Sequence, residues 1–124
     1  PDGERGNKLL VQLNTPEDDE PYVFVQTTSQ ENDRPLNPGC HPHPRQPVFF
    51  IQAKKPFFHH NTWLQLHHFY EYRPAFIVSE GLKGIFSELG VLDKQKMNEI
   101  ANCCKKVDDI TSYILDLIWK SKET

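Results

Sequence analysis

The sequence predicts one α+β domain, in which a strand-rich part, residues 8–78, is followed by a helical part, residues 79–120. Short runs of β-branched and aromatic residues, separated by turn-forming residues, fill the first part. From residue 79 onward the apolar residues recur every three or four positions, which is the period of an amphipathic helix. The length of 124 residues suits a single domain that spans residues 1–124.

Four segments of the first part have the composition of strands. They are residues 8–13, 22–27, 48–52 and 62–66. Acidic turn residues at positions 14–21 separate the first two segments, so we expect these two strands to form a hairpin. Pro74 allows residues 69–78 at most an edge strand, because proline cannot donate to a ladder. The segments together predict a small, strongly bent antiparallel sheet.

The helical part begins, in this interpretation, with Ser79 as a capping residue, and its first helix ends at Gly90. Asp93 is a second capping residue, and the apolar positions after it keep the helical period as far as Ile118. The period leaves open whether residues 93–119 form one long helix or two helices joined near residue 105. In both cases we expect the helices to cover one side of the sheet.

The net charge of the chain argues against a protein that binds nucleic acid over much of its surface. There are 14 Lys and Arg residues against 17 Asp and Glu residues, a net charge of −3, so any contact with RNA requires a local basic patch. No apolar run approaches the length of a membrane span or a signal peptide. The three cysteines, Cys40, Cys103 and Cys104, make a poor disulfide framework. We therefore expect free buried thiols and a cytoplasmic location.

Residues 28–47 form a long, proline-rich segment without an apolar period, and a loop of this length in a small domain is usually functional or disordered. Its cationic and imidazole side chains are Arg34, His41, His43 and Arg45.

Zinc binding is an alternative role for histidines in this chain. The groups concerned are Cys40-His41-Pro42-His43, His59-His60 and His67-His68. Their spacing matches no familiar tetrahedral ligand set, so we predict neither a metal nor another cofactor.

Four segments resemble, in chain order, parts of the MazF/PemK family of ribonuclease toxins. They are residues 6–14 (GNKLLVQLN), 25–29 (VQTTS), 61–66 (NTWLQL) and 90–118. In that family a Gly-rich loop delivers an Arg-Pro pair into an apolar strand, a threonine ends the next strand, and an amphipathic helix closes the chain. The resemblance implies an SH3-like barrel of the MazF/PemK/CcdB type with C-terminal helices, and it implies a homodimer.

The resemblance also implies an activity. Family members cut single-stranded RNA without a metal, and many are held inactive by an antitoxin protein. The matching positions make Lys8 and Thr27 the catalytic residues, with Thr28 as a neighbouring substrate contact. Lys8 stands where the family has arginine, and a lysine offers one mobile charge where a guanidinium offers two parallel donors. The alternative is therefore a catalytically impaired SH3-like module that binds protein or nucleic acid.

Metal-free RNA cleavage needs a base near the 2′-hydroxyl, a cation at the phosphate and an acid for the leaving oxygen. In the long loop, Arg34 and Arg45 are candidate cations, and His41 and His43 are candidate acids or bases. We expect these four residues to converge with Lys8 and Thr27 on one substrate phosphate.

Rings and cations between positions 45 and 73 are a second candidate for RNA contacts, since bases stack on rings while cations follow phosphates. The alternative is that these rings form the core. The residues are Lys54, Lys55, Phe57, Phe58, Trp63, Phe69, Tyr70 and Tyr72.

Overall fold

The structure is a computed structural model, which describes residues 9–53, 60–82 and 92–120. These ranges contain five strands and three helices. The strands are β1 (Leu10–Gln12), β2 (Tyr22–Thr28), β3 (Gly39–His41), β4 (Val48–Ile51) and β5 (Thr62–Tyr72). The helices are α1 (Pro74–Leu82), α2 (Lys94–Cys104) and α3 (Ser112–Lys120). The predicted α+β class is confirmed.

The five strands form one antiparallel sheet in the order β1-β2-β5-β4-β3. The predicted hairpin of β1 and β2 is confirmed, with Leu10 opposite Gln26 and Gln12 opposite Phe24. In the part of the chain that the structure describes, the sheet is open between its edge strands β1 and β3. Closure into a barrel therefore stays a prediction.

Two strands differ from the sequence prediction. β3 lies inside the segment predicted as a loop, where its three residues carry no strand pattern of their own. Its pairing partner β4 is fully buried and provides the ladder, with Cys40 opposite Phe49. β5 continues past residue 66 because its second half pairs with β2, where Phe69 lies opposite Val25.

The boundary between the strand-rich and helical parts was predicted too late in the chain. α1 begins at Pro74, so Ser79 lies within the helix and does not cap it. Proline suits the first turn of a helix because the N–H that it lacks has no intrahelical acceptor there. The amides of Phe76 and Ile77 donate to the Arg73 carbonyl at 3.0 and 3.2 Å. The predicted helix end at Gly90 lies outside the described residues.

Residues 93–119 form two helices. Asp93 caps α2 as predicted, and its carboxylate accepts a hydrogen bond from the Lys96 amide at 2.7 Å. α2 ends at Cys104, and α3 starts after Thr111, whose hydroxyl accepts a hydrogen bond from the Ile114 amide at 3.2 Å. Neither these helices nor α1, as far as they are described, is long and apolar enough to cross a membrane.

The main core lies between one face of the sheet and the helices α2 and α3. Its members from the strands include Phe49, Leu64 and Leu66, Leu13 joins it just after β1, and those from the helices include Ile100, Cys104 and Ile118. Neighbouring residues of a strand point to opposite faces. Since Val23 and Val25 belong to the main core, Tyr22, Phe24 and Gln26 lie on the other face. A smaller buried cluster of Val48, Phe50 and Trp63 also lies on that other face.

A disulfide joins Cys40 of β3 to Cys103 of α2, with their Cα atoms 5.4 Å apart. The prediction of three free thiols is therefore wrong for these two residues, because the unpredicted strand β3 brings Cys40 against the helix. Cys104 is free and buried. Burial raises the pKa of its thiol to about 12, so this thiol stays neutral at physiological pH. The cytoplasmic location stays a prediction, and the cysteines no longer support it.

Candidate functional site

The sheet face turned away from α2 and α3 carries a continuous row of aromatic rings. The row consists of Tyr22 and Phe24 on β2, Tyr70 and Tyr72 on β5, and Phe76 on α1, and we call it the aromatic strip. The register places Phe24 opposite Tyr70 and Tyr22 opposite Tyr72. Neighbouring rings of the strip have centroids 5.1 to 6.2 Å apart. Contacts of this length are typical of aromatic pairs.

The rings of the aromatic strip are partly accessible to solvent. The four strand residues are half-buried, and the side chain of Phe76 is 43% exposed. Trp63 and Phe50, on the same face, are only 1% and 2% exposed and stack on each other with centroids 4.8 Å apart. The rings of the strip therefore offer surface to a ligand, whereas those of Trp63 and Phe50 do not.

The rings that the sequence singled out divide between core and surface. Trp63 is buried in the smaller cluster, and Phe69 packs against the main core. Tyr70 and Tyr72 belong to the accessible strip. The remaining members, Lys54, Lys55, Phe57 and Phe58, lie outside the described residues. The sequence did not indicate Tyr22, Phe24 and Phe76, because their place beside Tyr72 depends on strand pairing.

Polar side chains adjoin the aromatic strip. Gln26 donates through Nε2 to Oε1 of Gln65 at 2.9 Å, and the Tyr70 hydroxyl donates to Oε1 of Gln26. The amide groups of Gln26 and Gln65 are thereby held next to the Tyr70 ring. Side-chain amides beside stacking rings are a common means of contacting the edges of unpaired bases.

Strand β5 leaves its regular pairing with β2 beside these glutamines. Thr27 lies opposite Leu64, and Val25 lies opposite Phe69. The four residues 65–68 of β5 therefore lie opposite a single residue of β2, Gln26. An irregularity of this kind redirects side chains, and it is frequent next to active sites. We call residues 66–68 the histidine bulge.

The two histidines of the bulge lie side by side. Consecutive residues of a regular strand point to opposite faces, yet the ring centroids of His67 and His68 are only 4.1 Å apart. Both side chains are exposed. The sequence indicated these two residues only as unconvincing zinc ligands, since the irregular pairing that joins their rings has no local sequence pattern.

The surroundings of His67 favour the neutral form of its ring. Partial burial, followed by the charges of His68 and Arg34, lowers the pKa of His67. A hydrogen bond to the Pro47 carbonyl and the charge of Asp109 oppose this shift without cancelling it. The same Pro47 carbonyl accepts a hydrogen bond from the Leu66 amide at 3.0 Å, which holds the bulge in place.

The long loop after β2 is anchored on the same face as the strip. Trp63 donates through its indole N–H to the Pro35 carbonyl at 2.7 Å. Arg34 donates through its guanidinium to the Gln30 carbonyl at 2.8 Å. This path brings the charge of Arg34 close enough to His67 to lower its pKa.

The first group of predicted site residues lies at the end of β2. Thr27 donates its hydroxyl proton to the Leu9 carbonyl at 2.6 Å, so it contacts the residue that follows Lys8 in the chain. Lys8 itself lies outside the described residues. The Thr28 hydroxyl accepts a hydrogen bond from the Gln30 amide at 3.2 Å and shapes the start of the long loop.

The second group of predicted site residues lies toward the other edge of the sheet, in and after β3. His41 is in β3, and its ring contacts the Asn37 carbonyl at 2.6 Å. The ring nitrogen of His43 accepts a hydrogen bond from the Arg45 amide at 3.2 Å. Strands β5 and β4 lie between β2 and β3, which separates the backbones of Thr27 and His41 by about 14 Å. The structure therefore does not bring Thr27 and the imidazoles of this loop to one phosphate.

His41 lies instead at the same end of the sheet as the histidine bulge. It is opposite Val48 on β4, and Val48 is opposite Gln65, the residue just before the bulge. Within the described ranges, no three side chains of the metal-ligating types gather into a metal site. The sulfur of Cys40, next to His41, is held in the disulfide and so is not a thiolate ligand.

An open depression of about 380 Å³ beside the turn between β1 and β2 has the wrong charge for RNA. Four acidic residues, at positions 17–20, line it together with Tyr113, Leu117 and Lys120. The Lys120 ammonium contacts carboxylates of Glu20 at 2.6 Å and Glu17 at 3.6 Å. The hydrogen bond from Lys120 lowers the pKa of Glu20, so this surface keeps its negative charge.

Comparison with known proteins does not identify a family for this chain. No protein-family model matches the chain, and neither a curated protein nor a solved structure matches it.

Proposed function

We propose that this chain is a MazF/PemK-like toxin that binds single-stranded RNA and cleaves it without a metal ion. The observation that carries the proposal is the aromatic strip, with the half-buried amide of Gln26 beside it on the same sheet face. Unpaired bases stack on accessible rings, and each stacked base contributes about 1–3 kcal/mol to binding. Base edges bond to side-chain amides, as in many proteins that recognise single strands.

Two arginines support the proposal. Arg73 follows Tyr72 directly in the chain. Arg34 lies close enough to His67 for its charge to lower the pKa of that histidine. Four of the 17 acidic residues lie at positions 17–20, outside the strip, where Lys120 pairs with Glu17 and Glu20. We expect phosphates of a bound RNA strand to contact these two arginines, although the net charge of the chain is −3.

The proposal includes the finer features that the family resemblance implies: an SH3-like barrel, a homodimer and inhibition by an antitoxin protein. Val78 of helix α1 supports the dimer, because it lies outside the aromatic strip and is 63% exposed. An apolar side chain with this exposure favours burial against another chain.

Light scattering of the pure protein at high micromolar concentration is expected to give the mass of two chains. The mass of one chain would contradict the dimer.

A binding module without cleavage is the second candidate. It is favoured by the Thr27 hydroxyl, whose proton is already donated to the Leu9 carbonyl at 2.6 Å and is not directed at a substrate. Lys8 in place of the arginine of the family points the same way. In this case the aromatic strip keeps its role, and RNA leaves the protein intact.

The aromatic strip is tested with the substitution Phe24→Leu, which removes a ring and keeps an apolar side chain. We expect the dissociation constant for a labelled, structureless RNA to rise roughly 5- to 150-fold, which corresponds to the loss of one stacked base. Fluorescence anisotropy measures the change. Tyr113→Leu is the matched control, because this tyrosine is 52% exposed on α3, outside the strip, and its loss should leave binding unchanged.

The two candidate functions separate in the same samples. Cleavage of the RNA, equal with and without EDTA, is expected for the toxin. Intact RNA that still binds through the strip would select the binding module. If the wild type, Phe24→Leu and Tyr113→Leu bind RNA with equal affinity, the strip is not the RNA site. If the wild type does not bind RNA, both candidate functions are contradicted.

A further inference from the structure

The histidine bulge holds two imidazoles beside the proposed RNA surface. We propose that His67 and His68 are the acid–base pair that cleaves the RNA phosphodiester, with Arg34 as the cation of this centre. The proposal rests on the proposed function, since it places the reaction next to the aromatic strip. It differs in its residues, because the resemblance assigns catalysis to Lys8 and Thr27.

The position of the two imidazoles is fixed by the residues that flank them. On one side, Gln65 accepts a hydrogen bond from Gln26 at 2.9 Å, and Leu66 is fully buried in the main core. The Leu66 amide also donates to the Pro47 carbonyl at 3.0 Å. On the other side, Phe69 packs against the main core. These contacts fix a backbone that presents two exposed rings whose centroids are 4.1 Å apart, close enough to contact the 2′-oxygen and the 5′-oxygen on either side of one phosphodiester.

His67 is suited to be the base. Its hydrogen bond to the Pro47 carbonyl requires an N–H on one ring nitrogen, which leaves the lone pair of the other nitrogen free to take a proton. Burial and the charges of His68 and Arg34 favour the neutral form of this ring by lowering its pKa. We assign the role of the acid to His68, because its ring lies in contact with that of His67.

The reaction balances without a co-reactant. His67 takes the proton of the ribose 2′-hydroxyl, and the 2′-oxygen forms a bond to phosphorus. The bond from phosphorus to the 5′-oxygen breaks, and protonated His68 donates its proton to that oxygen. The products are a 2′,3′-cyclic phosphate and a 5′-hydroxyl. The guanidinium of Arg34 stabilises the negative charge that builds up on the phosphate oxygens.

The aromatic strip adjoins the histidine bulge along β5. Tyr70, a ring of the aromatic strip, follows the bulge in β5 after Phe69, and its hydroxyl donates to Gln26. Gln26 is the residue that stands opposite the bulge. Tyr70 is thus two positions from His68 on β5, and in this proposal a base stacked on Tyr70 brings a neighbouring phosphate to the two imidazoles.

The test compares His67→Asn and His68→Asn with His60→Asn, a matched change at an exposed histidine before β5. We expect each bulge variant to cleave a labelled, structureless RNA at least about 100-fold more slowly than the wild type. His60→Asn should cleave at the wild-type rate, and this variant, purified in parallel, also reports any contaminating ribonuclease. Binding of the same RNA should stay within about twofold of the wild type in all three variants, because stacking on the strip is unchanged.

The pH profile separates catalysis from a structural role. The charged groups that face His67 are His68 on its own strand, Arg34 of the long loop and Asp109 between α2 and α3. We expect the wild-type single-turnover rate to be bell-shaped in pH, because one imidazole must be neutral and the other protonated. In His67→Asn the rate should no longer fall at acidic pH, because the base is absent. In His68→Asn the rate should no longer fall at alkaline pH, because the acid is absent. A bell that survives in both variants would overturn the proposal.

Failure of the proposal is distinguishable from failure of the proposed function. If the wild type and both bulge variants cleave RNA at the same rate, the acid–base pair is elsewhere and the ribonuclease remains. If the wild type binds RNA and leaves it intact, the acid–base proposal is overturned and the binding module remains. If the wild type does not bind RNA, the proposed function and this inference both fall.

Discussion

Reduction of the disulfide between Cys40 and Cys103 is expected to lower the free energy of unfolding by about 4 kcal/mol. The bond joins residues 63 positions apart. Cross-linking so long a segment removes many conformations from the unfolded chain, which is the main source of the stabilisation in the chain-entropy account. The bond also ties β3, an edge strand of three residues, to α2. Without it, we expect β3 and the long loop to loosen first.

Urea unfolding of the pure protein, with and without a thiol reductant, measures this effect. The variant Cys40→Ser should unfold at lower urea than the wild type and should not respond to the reductant. Cys104→Ala is the matched control, because it removes the free buried thiol and keeps the disulfide. That variant should respond to the reductant as the wild type does. Coincident urea curves of the wild type in both conditions would contradict the prediction.

Replacement of Trp63 by alanine is expected to cost about 3–5 kcal/mol of unfolding free energy. The side chain is 1% exposed and stacks on Phe50 with ring centroids 4.8 Å apart. It is the largest member of the small cluster with Val48 and Phe50, and its removal leaves a cavity that these two residues cannot refill. Its indole N–H also holds the Pro35 carbonyl of the long loop at 2.7 Å.

The substitution Trp63→Phe separates the two roles of this residue. It keeps an aromatic ring in the cluster and removes the N–H, so we expect a smaller loss of about 1–2 kcal/mol and faster proteolysis within the long loop. Urea unfolding gives the free energies, and limited proteolysis gives the loop opening. Tyr113→Ala, at an exposed aromatic residue of α3, should change the stability by less than about 0.5 kcal/mol. A loss below about 1 kcal/mol for Trp63→Ala would contradict the packing described for the smaller cluster.

Local patterns were sufficient for much of the fold. The hairpin of β1 and β2 follows from two apolar runs around an acidic turn. The helix α2 follows from its apolar period and from Asp93, which caps it through the Lys96 amide. These features depend on residues a few positions apart, whose geometry is similar in any chain with the same pattern.

The boundary between the two parts of the chain depended on competition between patterns. Residues 69–72 belong to β5 because β2 supplies a pairing partner, with Phe69 opposite Val25 and Tyr72 opposite Tyr22. Pro74 then starts α1 instead of ending a strand. Proline is compatible with both an edge strand and a first helical turn. The neighbour in space, and not the residue itself, decides between them.

The chemistry of the candidate site was only partly visible in the sequence. The sequence pointed to Tyr70 and Tyr72 as base-stacking residues, and they lie in the aromatic strip. It pointed to Thr27 and His41 as parts of one site, and two strands separate them. Lys8 lies outside the described residues, so its place relative to Thr27 stays a prediction.

The sequence by itself determined the α+β class, the hairpin, the cap of α2 and the helical period of the last third, because each of these depends on neighbours along the chain. The tertiary structure decided the open strand order, the disulfide and the composition of the candidate site. The Tyr70 hydroxyl meets Gln26 across 44 positions, and Cys40 meets Cys103 across 63 positions. The rings of His67 and His68 lie together because four residues of β5 stand against one residue of β2. Pairings between distant segments depend on the packing of the whole sheet, which no local pattern encodes.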